Sequence, residues 1–416
     1  MNTEVYDLLK KYGAVLASQG YSVGKEARLF LQTDEGIFAT RLGAHLEQLE
    51  SEDIEKIDGN QMPFLEAENK AAVISQTPYC QRCLNEGKAF NAVLDDMAQI
   101  IGPKAEIMDA SKSDPASDRR IKKILKKSAG CFIKTKPGSE NYNSGITLTV
   151  GRNLFEAVTA LTVLEKSAEI FLKASVLGGG KELSRLDANI MHFVYKKKYS
   201  KKEQEVKSEE GKKKTNQPVA SEPSSVKDYE YLQRLKLVEY GKKLVSCGLV
   251  QGTWGNISVR LDDDYMLATP SGLDYTRLTP ADMVKVCINS LEYEGALKPT
   301  SEKGLHAAIY SGRPDVGAVI HTHSKYCSIF AAAQKEMPIT SEEAQKTFGN
   351  SLPLASYGLP GTKKLMKNTA YAIGQNFGCI MANHGMAACG SNLETAFENC
   401  CVLEELGMQY IDSRFR

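Results

Sequence analysis

Apolar positions in the C-terminal half of the chain recur with two different periods. Leu232, Leu235, Val238, Leu244 and Val245 return at helical spacing and stop at Gly248, which predicts an amphipathic helix closed by a glycine. Ile257 and Val259 then alternate with polar neighbours, and a second apolar run covers 266–269. With Asp262–Asp264 between them, these read as paired antiparallel strands. The hydroxyls of Pro299-Thr300-Ser301-Glu302 suit a helix start, with Ala307, Ala308 and Ile309 supplying its packing. The stretches Ala318–Thr322 and Cys379–Ala382 predict buried strands, and a final long helix is expected from about Leu393 to Tyr410.

The pattern disappears between Lys196 and Lys227, where Lys, Glu, Ser, Pro and Gln dominate. Such a segment buries too little apolar surface to offset its ordering entropy, so a mobile spacer is expected over 200–226. Glu203, Glu205, Glu209 and Glu210 interleave with its lysines, which favours a solvated spacer over a nucleic-acid tether. The expected division is 1–196, a linker at 197–227, and 228–416. The two halves also overlay in three blocks. Ala39, Thr40, Gly43, Leu49 and Asp53 match Ala268, Thr269, Gly272, Leu278 and Asp282. Pro63, Glu66, Ala71, Ala72, Ser75 and Pro78 match Pro299, Glu302, Ala307, Ala308, Ser311 and Pro314. Gly151, Asn153, Leu154, Ala157 and Glu165 match Gly390, Asn392, Leu393, Ala396 and Glu404. The expectation is two copies of one domain.

Composition narrows the function classes. Among 416 residues, 52 basic against 51 acidic side chains give a net charge of +1, so nothing favours nucleic acid or an anionic membrane as partner. No apolar run is long enough for a membrane span, and the N-terminus carries no basic-then-apolar signal, so the expected location is the cytoplasm. Ten scattered cysteines, including Cys80-x-x-Cys83 and the adjacent Cys400 and Cys401, read as reduced buried thiols.

Four of the six histidines fall between 306 and 384. His321 and His323, two apart on a strand, leave the same face and can bind one ion. His384 before Gly385, with the Glu302 carboxylate, would complete a set suited to zinc or a similar first-row divalent ion. His306 lies one turn beyond Glu302 and reads as a supporting group, while His45 and His192 have no apparent partners. The stretches 252–256, 269–272 and 300–301 concentrate small, amide and hydroxyl groups that can cradle a phosphate, though singly each is more often a turn.

Gly252-Thr-Trp-Gly-Asn-Ile-Ser-Val-Arg260, Thr269-Pro-Ser-Gly272, Pro299-Thr-Ser-Glu302, His321-Thr-His323 and Asn383-His-Gly385 occur in an order and spacing that resembles the class II aldolase/adducin family. The resemblance covers 228–416. It implies a three-layer α/β/α domain around a mainly antiparallel sheet, and a homo-oligomer with interfacial active sites; with the overlay, the expected fold class is α/β with two such domains in tandem. It further implies zinc, or another divalent metal, on His321, His323, His384 and Glu302, with Glu302 as acid/base. Asn256, Thr269, Gly272, Thr300 and Ser301 would surround the phosphate of a small phosphorylated sugar. The implied reaction is metal-dependent cleavage of a ketose such as L-fuculose 1-phosphate to dihydroxyacetone phosphate and an aldehyde. A 4-epimerase, a dehydratase or a non-catalytic adducin-like module are the alternatives.

Two departures stand out: Glu342 occupies the position of a family tyrosine, and the sequence ends at Arg416 where sugar-phosphate enzymes carry a tail over the site. In the N-terminal copy, His321 and His323 are expected to correspond to Asn85 and Gly87, His384 to Ser144 or Gly145, Asn256 to Ala27, and Thr300 and Ser301 to Phe64 and Leu65. That half is read as a degenerate aldolase-like domain without a metal site.

Overall fold

The computed structural model describes residues 3–21, 27–59, 62, 65, 68–111, 119–135, 145–209 and 226–416. The chain divides into two units, residues 1–172 with 182–197, and residues 173–181 with 198–416.

The first unit contains α1 (Thr3–Ser18), β1 (Arg28–Thr33), β2 (Gly36–Thr40), β3 (Ile54–Ile57), β4 (Ala71–Ser75), α2 (Pro78–Asn85), β5 (Phe90–Asn91), α3 (Asp95–Ile100), β6 (Lys104–Ala105) and β7 (Ile107–Asp109). It continues with α4 (Arg119–Leu125), β8 (Gly130–Lys134), β9 (Ile146–Gly151), α5 (Leu154–Lys173) and the start of α6 (Arg185–Glu209). Its main sheet has the order β3-β2-β1-β4-β9-β8-β7. Strand alternation sends successive residues to opposite faces. Leu29, Leu31 and Val73 pack with Leu9 and Leu16 of α1 and Leu161 of α5, whereas Phe30, Ala72 and Ile74 pack with Ile121 and Leu125 of α4. Helices therefore cover both faces.

The second unit runs α7 (Val226–Ser246), β10 (Gly255–Arg260), β11 (Tyr265–Ala268), β12 (Val284–Cys287), β13 (Tyr293–Glu294), α8 (Lys303–Gly312), β14 (Ala318–Thr322) and α9 (Lys325–Ala333). Then come β15 (Met337–Pro338), α10 (Glu342–Phe348), β16 (Ser351–Leu352), β17 (Leu354–Ala355), α11 (Lys363–Ile373), β18 (Gly378–Met381), β19 (Gly385–Gly390) and α12 (Leu393–Asp412). The sheet order is β13-β12-β11-β10-β14-β19-β18-β17. Val319, Ala387 and Cys389 pack with Leu305 and Ile309 of α8 and Leu365 of α11, and α7, α9 and α12 pack from the other side.

Apart from the extra edge strand β13, the two sheets share one strand order and one pattern of directions. Both are mixed, which corrects the expectation of mainly antiparallel sheets: β7 pairs parallel to β8, and β17 parallel to β18. A parallel neighbour needs a crossover, and α4 and α11 supply it.

The pairing registers also correct the overlay. Arg28 faces Ile74 as Asn256 faces His321, and Ile74 faces Leu148 as His321 faces Ala387. His321 and His323 therefore correspond to Ile74 and Gln76, not Asn85 and Gly87, and Asn256 to Arg28, not Ala27. The second block fails because Ala71, Ala72 and Ser75 lie on strand β4 while Ala307, Ala308 and Ser311 lie on helix α8. Similar composition, small residues before a proline, hid different backbone periods. The outer blocks agree in register: Thr40 Oγ1 accepts from Leu29 N–H at 3.0 Å, and Thr269 Oγ1 from Ile257 N–H at 3.2 Å. Pro63, Phe64, Glu66 and Ser144 lie outside the described residues. So does the centre of the expected spacer, while α6 extends through its first part. Among the described residues, no helix is long and apolar enough to cross a membrane.

Candidate metal centre

Strand β14 carries His321 at its end and His323 just beyond, next to the antiparallel pair β18 and β19, whose connecting turn carries His384. That turn must come very close to β14, because a Cβ on Gly385 would stand 2.3 Å from the Thr322 carbonyl oxygen. Only glycine fits there. The three rings form one cluster, with His321 and His384 stacked at 4.8 Å and His323 edge-on to both at 4.9 and 4.7 Å. Their ligand-capable nitrogens lie within 4.8 Å of one another.

Glu302, immediately before α8, brings the carboxylate. Its Oε1 lies 3.0 Å from His384 Nε2 and its Oε2 3.3 Å from His321 Nε2. His323 Nε2 is 3.0 Å from His321 Nε2. Edges of a tetrahedron around an ion with ligand bonds of roughly 2.0–2.1 Å measure about 3.3 Å, so these separations suit such an ion. His321 Nδ1 donates to the Met386 carbonyl at 2.8 Å, which leaves its Nε2 lone pair facing the cluster. This donor set, three imidazoles and one carboxylate in a buried place, fits a first-row divalent metal.

A buried polar chain fixes the carboxylate from behind. Glu302, His306 and Tyr310 recur every four residues and so share one face along α8. Asn256 Nδ2 donates to Glu302 Oε2 at 2.9 Å. With its amide nitrogen so engaged, Asn256 offers its oxygen to His306 Nε2–H, and His306 Nδ1 accepts the Ser258 hydroxyl at 2.7 Å. Ser258 in turn meets the Tyr310 hydroxyl at 2.8 Å. Burial lowers the His306 pKa to about 4 against the opposing pull of Glu302, so the ring is neutral, as this chain requires. Burial likewise takes His321 down to about 3, again against Glu302. For Glu302, burial pushes upward, but His321, His384 and the Asn256 amide outweigh it and hold the carboxyl well below its usual range. At neutral pH the centre therefore sets an ionised Glu302 carboxylate beside a neutral His321 ring.

The residues expected around phosphate are only partly gathered. Asn256 is tied to Glu302 as above. Thr300 N–H donates to the Thr269 carbonyl at 2.9 Å, and Ser271 N–H to the Lys298 carbonyl at 2.9 Å, which joins the two loops. The Thr269 hydroxyl accepts Ile257 N–H, and the Thr300 hydroxyl accepts Glu302 N–H at 3.2 Å. Gly272 adopts φ 71, a left-handed turn position, and is exposed. Ser301 is exposed and lines a 140 Å³ cavity with Glu302, Gly361 and Thr362. Glu342 begins α10 and is exposed. Ser258, Tyr310 and the Met386 carbonyl were not anticipated from the sequence. The spacing of Glu302, His306 and Tyr310 was a usable signal for Tyr310, whereas a backbone acceptor leaves none.

The fold and this cluster define an α/β protein with a candidate metal site of three histidines and one carboxylate. Residues 235–411 match the family described as Class II Aldolase and Adducin N-terminal domain. The chain is 36% identical over 174 residues to the 5-methylthioribulose-1-phosphate/5-deoxyribulose-1-phosphate aldolase of Rhodospirillum rubrum, covering 42% of this chain and 78% of that protein. It is 35% identical over 176 residues to the L-fuculose phosphate aldolase of Escherichia coli strain K12, covering 42% and 81%. A solved structure of L-fuculose 1-phosphate aldolase, 34% identical, covers 44% of this chain and 85% of that one with a TM-score of 0.42. The chain belongs to the class II aldolase family.

Proposed function

We propose that the second unit is a metal-dependent lyase that cleaves a ketose 1-phosphate to dihydroxyacetone phosphate and an aldehyde. The observation that carries this reading is the convergence of His321, His323, His384 and Glu302 in one buried cluster. The named relatives act on 5-methylthioribulose 1-phosphate, 5-deoxyribulose 1-phosphate and fuculose phosphate, which supports a ketose 1-phosphate as the substrate class.

The three histidines and Glu302 would hold the ion, with zinc favoured by the imidazole-rich set. When bound, it would supply a Lewis acid that draws electron density from the reacting part of the substrate. Glu302, ionised and oriented by Asn256, takes or returns the proton at the reacting carbon. Asn256, Thr269, Gly272, Thr300 and Ser301 are proposed to hold the phosphate, restraining the substrate in one pose. Homo-oligomerisation with interfacial sites and a cytoplasmic location complete the proposal. A second reading, 4-epimerisation or dehydration at the same centre, is favoured by Glu342 in place of the family tyrosine.

The first unit is proposed to be a second copy of the domain that kept the fold without the ligands. The shared strand order and the register matches Ile74, Gln76 and Gly145 for His321, His323 and His384 support this. The test of the lyase reading is dihydroxyacetone phosphate release from a panel of ketose 1-phosphates, using metal-loaded protein, EDTA-treated protein and Glu302→Gln. Metal-dependent release that Glu302→Gln abolishes is expected. Protein that holds one equivalent of metal yet releases nothing would transfer the proposal to the epimerase or dehydratase reading.

A further inference from the structure

Residues 173–181 belong to the second unit, although most of α5 before them and the start of α6 after them belong to the first. They also lie outside the family-matched span 235–411. Both ends of the segment are tied down. At its start, Lys173 Nζ donates to Asp412 Oδ1 at 2.7 Å and to the Tyr326 hydroxyl at 3.2 Å, while Tyr326 donates to Asp412 Oδ2 at 2.6 Å. Lys173 is 4% exposed. A 3₁₀ turn over Ala174–Leu177 packs on α9. Gly178 and Gly179 then follow at φ 92 and 94, left-handed positions that L side chains rarely adopt, and redirect the chain.

At the other end, Lys181 N–H donates to the Ala332 carbonyl at 2.7 Å, and the Lys181 carbonyl accepts Asn383 Nδ2–H at 2.7 Å. Asn383 is the residue before His384. It is 1% exposed and sits at φ 56, a left-handed conformation that asparagine adopts more readily than most non-glycine residues. Its own N–H donates to the Ala331 carbonyl at 2.9 Å, and its Oδ1 accepts Gln334 Nε2–H at 2.7 Å. Both polar ends of the amide are thus engaged, one by Gln334 and one by the segment.

We propose that residues 173–181 form a strap whose Lys181 carbonyl locks the Asn383 side chain and so positions the turn that carries His384. The affinity of the metal centre then depends on a part of the chain more than 50 residues before the matched domain begins. The argument rests on the metal reading above. Within it, Asn383 and Lys181 are positioning residues, acting through His384 rather than on substrate. Partners behind a metal ligand commonly contribute about 10- to 100-fold to metal affinity.

The test measures Co²⁺ and Zn²⁺ dissociation constants of the full chain by competition with a chromophoric chelator, together with the visible spectrum of the Co²⁺ form. Asn383→Asp tolerates the left-handed backbone but faces the Lys181 carbonyl with an acceptor in place of a donor. Lys181→Pro removes the N–H that anchors the strap to Ala332. Unfolding of the metal-free proteins is followed in parallel, to identify a variant that simply fails to fold. The expected result is metal binding about 10- to 100-fold weaker in both variants, with an altered Co²⁺ spectrum and a retained cooperative unfolding transition. Wild-type affinity and spectrum in a folded Asn383→Asp protein would overturn the strap's role while leaving the metal reading intact. A wild-type chain that binds neither ion would remove both.

Discussion

The helix that follows β4 in the first unit and the helix that follows β14 in the second begin in the same way. Glu165 accepts the Thr77 hydroxyl and the N–H groups of Tyr79 and Cys80 at 2.8 and 2.9 Å. Glu404 accepts the Ser324 hydroxyl and the N–H groups of Tyr326 and Cys327 at 2.7 and 3.0 Å. A carboxylate reaching from the long helix satisfies backbone donors that the N-cap residues Thr77 and Ser324 leave uncapped, and it stands at the positive end of the short helix. A few residues upstream the likeness ends. Where the second unit has His321 and His323, the first has Ile74, packed in an apolar cluster, and Gln76, whose amide donates to the Gly145 carbonyl at 2.7 Å. The shared features hold the scaffold and the differing ones are those proposed to carry the chemistry, so the two can be separated experimentally.

The largest effect belongs to the ligands. His384→Ala is expected to abolish stoichiometric metal binding, read by equilibrium dialysis, and dihydroxyacetone phosphate release with it. Glu302→Gln should lower kcat by about 10²- to 10⁴-fold, as loss of an acid/base does. If the ion stays bound, Glu302 acts chiefly on the proton, and if the ion leaves, it acts chiefly as a ligand.

Next in size is a pH effect at His306 of the second unit. His306 is held at about 4 against an ordinary 6.5. As pH falls, the unfolded chain therefore takes up this proton first. The associated stability is complete above pH 6.5 and is lost between 6.5 and about 4, a contribution of about 3 kcal/mol. Denaturant unfolding of metal-free protein at pH 7 and pH 4.5 should reveal the loss, and His306→Gln should remove part of the difference, His321, which burial also lowers to about 3, contributing in the same window. An unchanged difference in the variant would exclude His306 as its source.

Glu165→Ala and Glu404→Ala should each destabilise their own unit by about 1–3 kcal/mol through backbone donors left without a partner. Similar costs in the two units, measured by hydrogen exchange at α2 and α9, would support the common scaffold, and a cost in one unit only would break the comparison. The smallest effect is expected from Ile74→His with Gln76→His, which should add no second equivalent of metal. The third position is Gly145, at φ 108, where a Cβ would stand 2.6 Å from the Ile133 carbonyl oxygen, so no side chain can complete the set.

Much of the second unit could be read directly from its residues. The alternation at Ile257 and Val259, the apolar runs before His321 and His384, the stop at Gly248 and the helix start near Glu302 all gave elements where the structure has them. The candidate ligand set was legible for the same reason: histidines are scarce here, and two of them are two positions apart at the end of one strand. The parallel edge pairs were not, because pairing direction depends on where a crossover helix returns the chain, which no local period records. The second block of the overlay failed for a related reason. Ala-Ala followed by Ser and Pro suits both a buried strand and a helix, and only hydrogen bonding to β1 and β9 makes 71–75 a strand.

The sequence by itself determined which side chains could bind a metal, since donor chemistry is a property of the residue. It also determined most elements of the second unit, since hydrophobic period is local. Tertiary structure alone decided that Asn256, His306, Ser258 and Tyr310 line up behind Glu302, and that the Lys181 carbonyl meets Asn383 across 202 positions of chain. Those contacts depend on orientation and on backbone acceptors, which exist only once distant segments have packed together.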